Sequence, residues 1–219
     1  MKKASLVVAA VLLLTLMLSG CGKTETEMGW GEYKNGVYTN EYFGYSIHID
    51  ESYHYLSPEE IINMDADTYE EDEEWEPFDI NDIEDMKSEP ILYYLYAFKY
   101  PRDSEQDVNA NLSFFSENLN FISGVTTKEA YTSTKMDYVR QIFQGTDYLV
   151  SIEKVQKVWI NDREYAKGRL SLNFDGVVIV QELFVIVRKN QALVTMINYA
   201  TEEERQELDS FVQTIKVKN

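Results

Sequence analysis

Four apolar, β-rich runs near the C-terminus are separated by turn residues at short intervals, and this succession constrains the fold more than any other stretch. Residues 155–160, 164–174, 177–189 and 192–200 are joined by Asn161-Asp162-Arg163, Asp175-Gly176 and Asn190-Gln191. Connections of two or three residues cannot carry a crossover, so the runs pair as antiparallel hairpins in a meander. In the second run Lys167, Arg169 and Ser171 alternate with Ala166, Gly168, Leu170 and Leu172, which makes one of its faces wet or functional. Residues 177–187 are apolar on both faces apart from Gln181 and Glu182.

Helices flank this meander. Thr201-Glu202-Glu203-Glu204 forms a capping box, and Leu208, Phe211, Val212 and Ile215 follow at the spacing of one buried helical face. Residues 127–144 predict another helix, with Met136, Val139 and Phe143 on one side. Ser57-Pro58-Glu59-Glu60 opens a third, because Ser57 can cap it and Pro58 suits the first helical position; Ile61, Ile62 and Met64 would give it a buried side. Upstream strands are expected with Tyr45, Ile47 and Ile49 on one face, over residues 91–100, and over residues 111–118; residues 148–152 fit strand or loop. Leu92, Tyr94, Tyr96, Phe98 and Tyr100 fall on one face of the second of these and Ile91, Tyr93, Leu95 and Ala97 on the other, the pattern of a central strand covered on both sides. The fold class is therefore α+β: an antiparallel meander with flanking helices.

The N-terminus reads as an address. Lys2 and Lys3 precede an apolar run of about 15 residues, and the small residues Ser19 and Gly20 stand before Cys21, the single cysteine. The run is short of the roughly 20 residues a membrane-spanning helix needs. Leu18-Ser19-Gly20-Cys21 resembles the lipobox of bacterial lipoproteins, which implies that residues 1–20 are a removable signal peptide and that Cys21 is diacylated and becomes the N-terminus. Acylation there would leave no free thiol for disulfides, thiolate catalysis or cysteine-ligated metals. Residues 21–36 then form the lipidated cysteine and a polar tether with Gly29, Gly31 and Gly36, and residues 37–219 a single domain. The expected place is the cell membrane, lipid-anchored on its extracytoplasmic side.

The domain also resembles the PsbP-like family, named for an extrinsic protein of the photosynthetic oxygen-evolving complex. The resemblance spans roughly residues 37–219 and rests on Tyr42-Phe43-Gly44-Tyr45-Ser46-Ile47, on Gly124-Val125-Thr126-Thr127-Lys128-Glu129 before a helix, on Asn161-Asp162-Arg163-Glu164-Tyr165, and on the final strand and helix. It implies a PsbP-like α/β/α sandwich and, because members mostly serve as accessory or adaptor proteins, a role in binding.

The chain carries a net charge of −18, which disfavours nucleic acid as a partner, since a polyanion binder needs basic residues to displace counterions. Residues 59–89 hold fifteen carboxylates against Lys87 alone, a net −14. This acidic insert, at about residues 65–89, supports three readings. It can be a solvated loop. It can take up calcium weakly, with Asp65, Asp67, Glu71 and Glu76 as candidate ligands, although Tyr69 and Glu70 occupy the positions where an EF-hand loop needs an oxygen ligand and glycine. It can dock a basic partner, with Trp75 and Phe78 as apolar anchors, or these can tuck inward beside Ile80, Ile83 and Met86 on a short packing helix.

No phosphate-binding loop, dinucleotide fingerprint, Gly-x-Ser-x-Gly elbow or His-Glu-x-x-His helix occurs in the sequence. His48 and His54, six apart with no nearby cysteine, suit ordinary strand and loop positions better than a zinc site, so no cofactor is expected beyond weak calcium. The expectation is a non-enzymatic, lipid-anchored binding or adaptor lipoprotein whose partner is an extracytoplasmic protein or envelope component. The alternatives are a calcium-responsive binding lipoprotein and an envelope-polymer hydrolase lacking a recognised motif.

Overall fold

The computed structural model describes residues 27–66, 83–102, 104 and 108–218. The first strands, β1 (Glu32–Lys34), β2 (Val37–Asn40) and β3 (Tyr45–His48), form a small antiparallel sheet that β12 (Lys216–Val217) completes from the far end of the chain. Then come β4 (His54–Tyr55), α1 (Pro58–Ala66), α2 (Ile83–Ser88), β5 (Ile91–Phe98), β6 (Asn111–Asn118) and α3 (Lys128–Ile142). The C-terminal meander is β7 (Leu149–Ile152), β8 (Gln156–Ile160), β9 (Arg163–Phe174), β10 (Val177–Arg188) and β11 (Gln191–Tyr199), and α4 (Glu202–Val212) follows it.

The large sheet runs β4-β5-β6-β11-β10-β9-β7, and β8 also pairs with β9. All of its pairings are antiparallel, which makes this an α+β fold. One face packs against the small sheet and α4: Tyr38, Phe43, Tyr45, Phe114, Leu208 and Val212 share a core. The ring of Tyr45 stacks on Phe114 at 3.8 Å, and its hydroxyl bonds to that of Thr195 at 2.9 Å. The other face is covered by α3, whose Tyr131 and Met136 join Leu170, Leu183, Val185 and Val194.

The turns explain the register. Asp175 and Gly176 both take positive φ, as a two-residue turn matched to the strand twist requires. The last hairpin turns on Lys189 and Asn190, at φ 51° and 59°, one residue earlier than the composition suggests, because Gln191 already pairs with Arg188. Asn161, at φ 53°, donates its side-chain amide to the Ile215 carbonyl at 2.7 Å and so ties its hairpin to the chain leaving α4. The capping box of Thr201 and Glu204 forms, and Thr127 caps α3.

Residues 149–152, which fit strand or loop in the sequence, form a strand, and β5, read as a central strand, lies one place from the end of the large sheet. A bulge between Tyr93 and Leu95 interrupts the alternation of β5, so Leu92, Tyr94, Leu95 and Ala97 all reach the same core. Tyr96 and Phe98 pass to the opposite face beside Tyr93, and strand pairing stops at Phe98.

Candidate binding groove

Helix α3 lies over β9 and β10, and α1 packs on β5. Helix α3 comes this close because residue 168 is glycine: a Cβ there would sit 2.7 Å from Thr132 Cγ2 and 2.8 Å from Met136 Cε. Between α3 and β5 runs a groove of about 260 Å³. Tyr93, Met196 and Gln181 line it from the sheet, and Lys135, Tyr138 and Ile142 from the helix. Tyr138 and Ile142 remain 56% and 54% exposed.

Polar groups in and near the groove are fixed. Gln181 Nε2 donates to Asn198 Oδ1 at 2.9 Å, and Asn198 Nδ2 donates to Asn111 Oδ1 at 2.9 Å, so a ladder of amides across three strands orients Gln181. The Glu117 carboxylate is buried, accepts the Tyr131 hydroxyl at 2.7 Å and pairs with Lys135 Nζ at 2.6 Å. Burial, and then the Glu117 charge, hold the Tyr131 hydroxyl protonated well above the ordinary tyrosine range. The Lys135 ammonium lies 5.8 Å from the Tyr138 ring centroid, joining charged pair and rim.

The volume limits the occupant. Sites for whole small molecules usually enclose about 300 to 1,000 Å³, so this groove suits one or two side chains of a larger partner. On β5 the rings of Tyr93, Tyr96 and Phe98 stack on each other at 5.0 and 5.8 Å.

Cys21, Asp67, Glu71, Trp75, Glu76 and Phe78 lie outside the described residues, as does the side chain of Asp65, whose backbone belongs to α1. Met86 is buried on α2, as the short packing helix anticipated. His48 and His54 are exposed on different sheets. Among the described residues, no group of three or more His, Cys, Asp or Glu is placed to hold a metal ion. The wet face of β9 is real but structural in its bonding: Lys167 and Arg169 converge on the buried Glu182 at 2.7 and 3.3 Å, and Tyr199 donates its hydroxyl to the same carboxylate at 3.1 Å. The groove residues were not anticipated. Tyr138 and Ile142 sit four apart on α3, off the stripe formed by Met136 and Val139, and this second apolar stripe was the available signal.

Over 91% of its length the chain superposes on 98% of cyanobacterial PsbP (CyanoP) from Synechocystis sp. PCC 6803, with a TM-score of 0.52 and 12% identity. The fold is PsbP-like. Weaker similarities reach a Bacteroides thetaiotaomicron protein (TM-score 0.39, 11% identity, 80% of this chain and 46% of that one). They also reach LpqN of Mycobacterium tuberculosis, a protein involved in cell envelope biogenesis (TM-score 0.34, 9% identity, 59% and 79%). No family model and no curated protein matches the chain. Within this PsbP-like frame the groove lies on the α3 layer, across the large sheet from the small sheet that receives the N-terminal segment. Among the described residues, no helix is long and apolar enough to cross a membrane.

Proposed function

We propose that this chain is a non-enzymatic lipoprotein of the cell envelope, anchored through Cys21, that binds a partner protein by taking one aliphatic or aromatic side chain into the α3 groove. The observation that carries the reading is the groove itself: an apolar cleft of side-chain size, rimmed by the exposed Tyr138 and Ile142 and containing one oriented amide. Such an anchor pocket beside a largely apolar rim is how a few residues come to dominate a protein interface. The lipid anchor is supported by the order Leu18-Ser19-Gly20-Cys21 after an apolar run. Anchoring would hold the domain on the extracytoplasmic side, where the partner must also be.

A photoreactive side chain at position 142, in the full chain expressed in cells, tests the reading. Illumination should give a discrete protein adduct, whereas the same probe at the exposed Phe121 should give none. Equal adducts at both positions, or no adduct at 142, would contradict it. In parallel, Cys21→Ser should abolish lipid labelling of the chain, and continued labelling would overturn the anchor.

A further inference from the structure

We infer that one end of the sandwich rests on the membrane surface, with the Phe121 ring at head-group depth and the Lys189 ammonium against lipid phosphate. The inference rests on the Cys21 anchor proposed above and adds an orientation to it. Three turns make this end, at residues 41–44, 119–122 and 188–191. They are tied to one another: the Leu119 amide donates to the Asn190 carbonyl at 3.1 Å, Asn190 Nδ2 to Asn120 Oδ1 at 2.8 Å, and Lys189 Nζ to the Tyr42 carbonyl at 3.2 Å. Arg188 Nη1 donates to the Phe43 carbonyl at 2.7 Å, and the Lys218 amide to the Gly44 carbonyl at 2.8 Å. On this fixed base Phe121 stays 60% exposed.

The tether decides what lies against these turns. Glu27 and Gly29 share a crevice of about 340 Å³ with Asn40, Glu41 and Tyr42, so the N-terminal segment enters the domain here. Six peptide links join Cys21 to Glu27. At no more than about 3.6 Å each they reach about 22 Å, whereas the twelve residues of β10 carry the sheet about 40 Å away from this end. The Phe121 end is therefore held close to the acyl chains at any tilt, and the Asp175-Gly176 hairpin comes to the surface only if the domain lies flat.

Chemistry separates the two postures. Phe121 is a large apolar ring of the kind that settles at the head-group boundary, and the exposed Lys189, 3.8 Å from the Tyr42 ring centroid, supplies a cation for phosphate. Glu41 pairs with Lys218 at 3.4 Å, and Glu27 and Glu32 line the crevice. At the opposite tip Phe174, Val177 and Val178 are each about two-fifths exposed, but the exposed Asp175 stands among them. Asp147, also exposed, precedes the Tyr148 ring that stacks on Phe174, so burying this tip would set two carboxylates against phosphate.

An orientation of the groove follows. Helix α3 begins near the membrane end, where Lys128 Nζ donates to Glu164 Oε1 at 2.9 Å beside the β8–β9 turn, and it ends at Ile142. At 1.5 Å per residue this sets Ile142 about 20 Å farther from the membrane than Lys128. The rim of the groove thus faces partners beyond the bilayer.

A fluorophore on Ser123→Cys, an exposed position two residues past Phe121, reports the contact in the full lipidated chain, where acylation of Cys21 leaves a single thiol. In phosphatidylcholine vesicles that include head-group spin-labelled phosphatidylcholine, its emission should fall about twofold or more, and that of Val178→Cys by less than about a tenth. About twenty Gly and Ser residues inserted after Lys23 separate adhesion from tethering. Quenching at position 123 should persist in that lengthened chain, and Phe121→Ser added to it should remove the quenching. Equal quenching at 123 and 178, none at 123, loss on lengthening alone, or indifference to Phe121→Ser would overturn the inference. Flotation keeps the two readings apart: a chain that floats with the vesicles but is unquenched at 123 overturns the orientation alone, whereas a chain that does not float overturns the anchor and the orientation with it.

Discussion

The Lys167 ammonium lies 2.7 Å from the Glu182 carboxylate, on the face of the large sheet opposite α3, and the two side chains are not equally buried. Glu182 keeps only 3% of its side chain exposed, whereas Lys167 keeps 22%. The buried partner of such a pair depends on the exposed one more than the reverse, because a stranded interior charge cannot be hydrated. Lys167→Met is therefore expected to cost about 2 kcal/mol, Arg169 and Tyr199 compensating part of the loss, and Glu182→Met under about 1 kcal/mol. The double replacement should recover most of the loss. Thermal midpoints, shifting by roughly 2 to 4 °C per kcal/mol in a chain of this size, give the order directly. A larger shift for Glu182→Met would contradict the assignment.

Gly168 sets the distance between α3 and β9. Gly168→Ala brings a methyl group against Thr132 and the flexible end of Met136, and Gly168→Val a bulkier one. Overpacking of this kind costs about 1 to 3 kcal/mol, with alanine at the low end and valine at the high end. Denaturant midpoints should fall in that order with unchanged slopes. Equal stability of the two variants would mean that α3 does not rest on this position.

Buried tyrosines make the fold sensitive to alkali. Tyr38, Tyr45 and Tyr94 are raised well above the ordinary value by burial, and Tyr165 is pushed up to about 12, also chiefly by burial. In the unfolded chain they ionise near 10, so from there upward the folded state binds more protons than the unfolded one. Their contribution to stability is complete below about pH 10 and declines as pH rises through the folded values. Stability against urea should accordingly be flat from neutral pH to about 10 and drop steadily above it. A decline beginning well below pH 9, or none by pH 12, would contradict this.

Local chemistry made much of the fold legible. Asp175-Gly176 and Asn161 announce hairpins because glycine, lacking a Cβ, and Asn and Asp tolerate positive φ, while Lys189 at φ 51° gives no such signal, and the last turn is displaced by one residue. Thr127 and Thr201 read as caps because each stands before a helical pattern and can accept a backbone N–H. The small sheet was less visible, since Lys216 and Val217 pair with Ser46 and Tyr45 from the far end of the chain, and strands of two to four residues carry little periodicity. The bulge at Tyr93 was hidden for another reason: an inserted residue leaves composition unchanged and reverses every side chain beyond it. That reversal puts Tyr96 and Phe98 on the face that Tyr93 shares with the groove. The groove draws on α3, β5, β10 and β11, so no single stretch of sequence displays it.

Occupancy of the groove can be measured by filling its floor. Met196→Trp does so while leaving Tyr138 in place, and the photoreactive side chain that replaces Ile142 reports whether a partner still arrives. If a partner side chain enters the groove, the adduct seen in the parent chain disappears in Met196→Trp although the thermal midpoint changes by only a few degrees, as expected for a half-buried site. An adduct of undiminished yield in Met196→Trp would contradict the account.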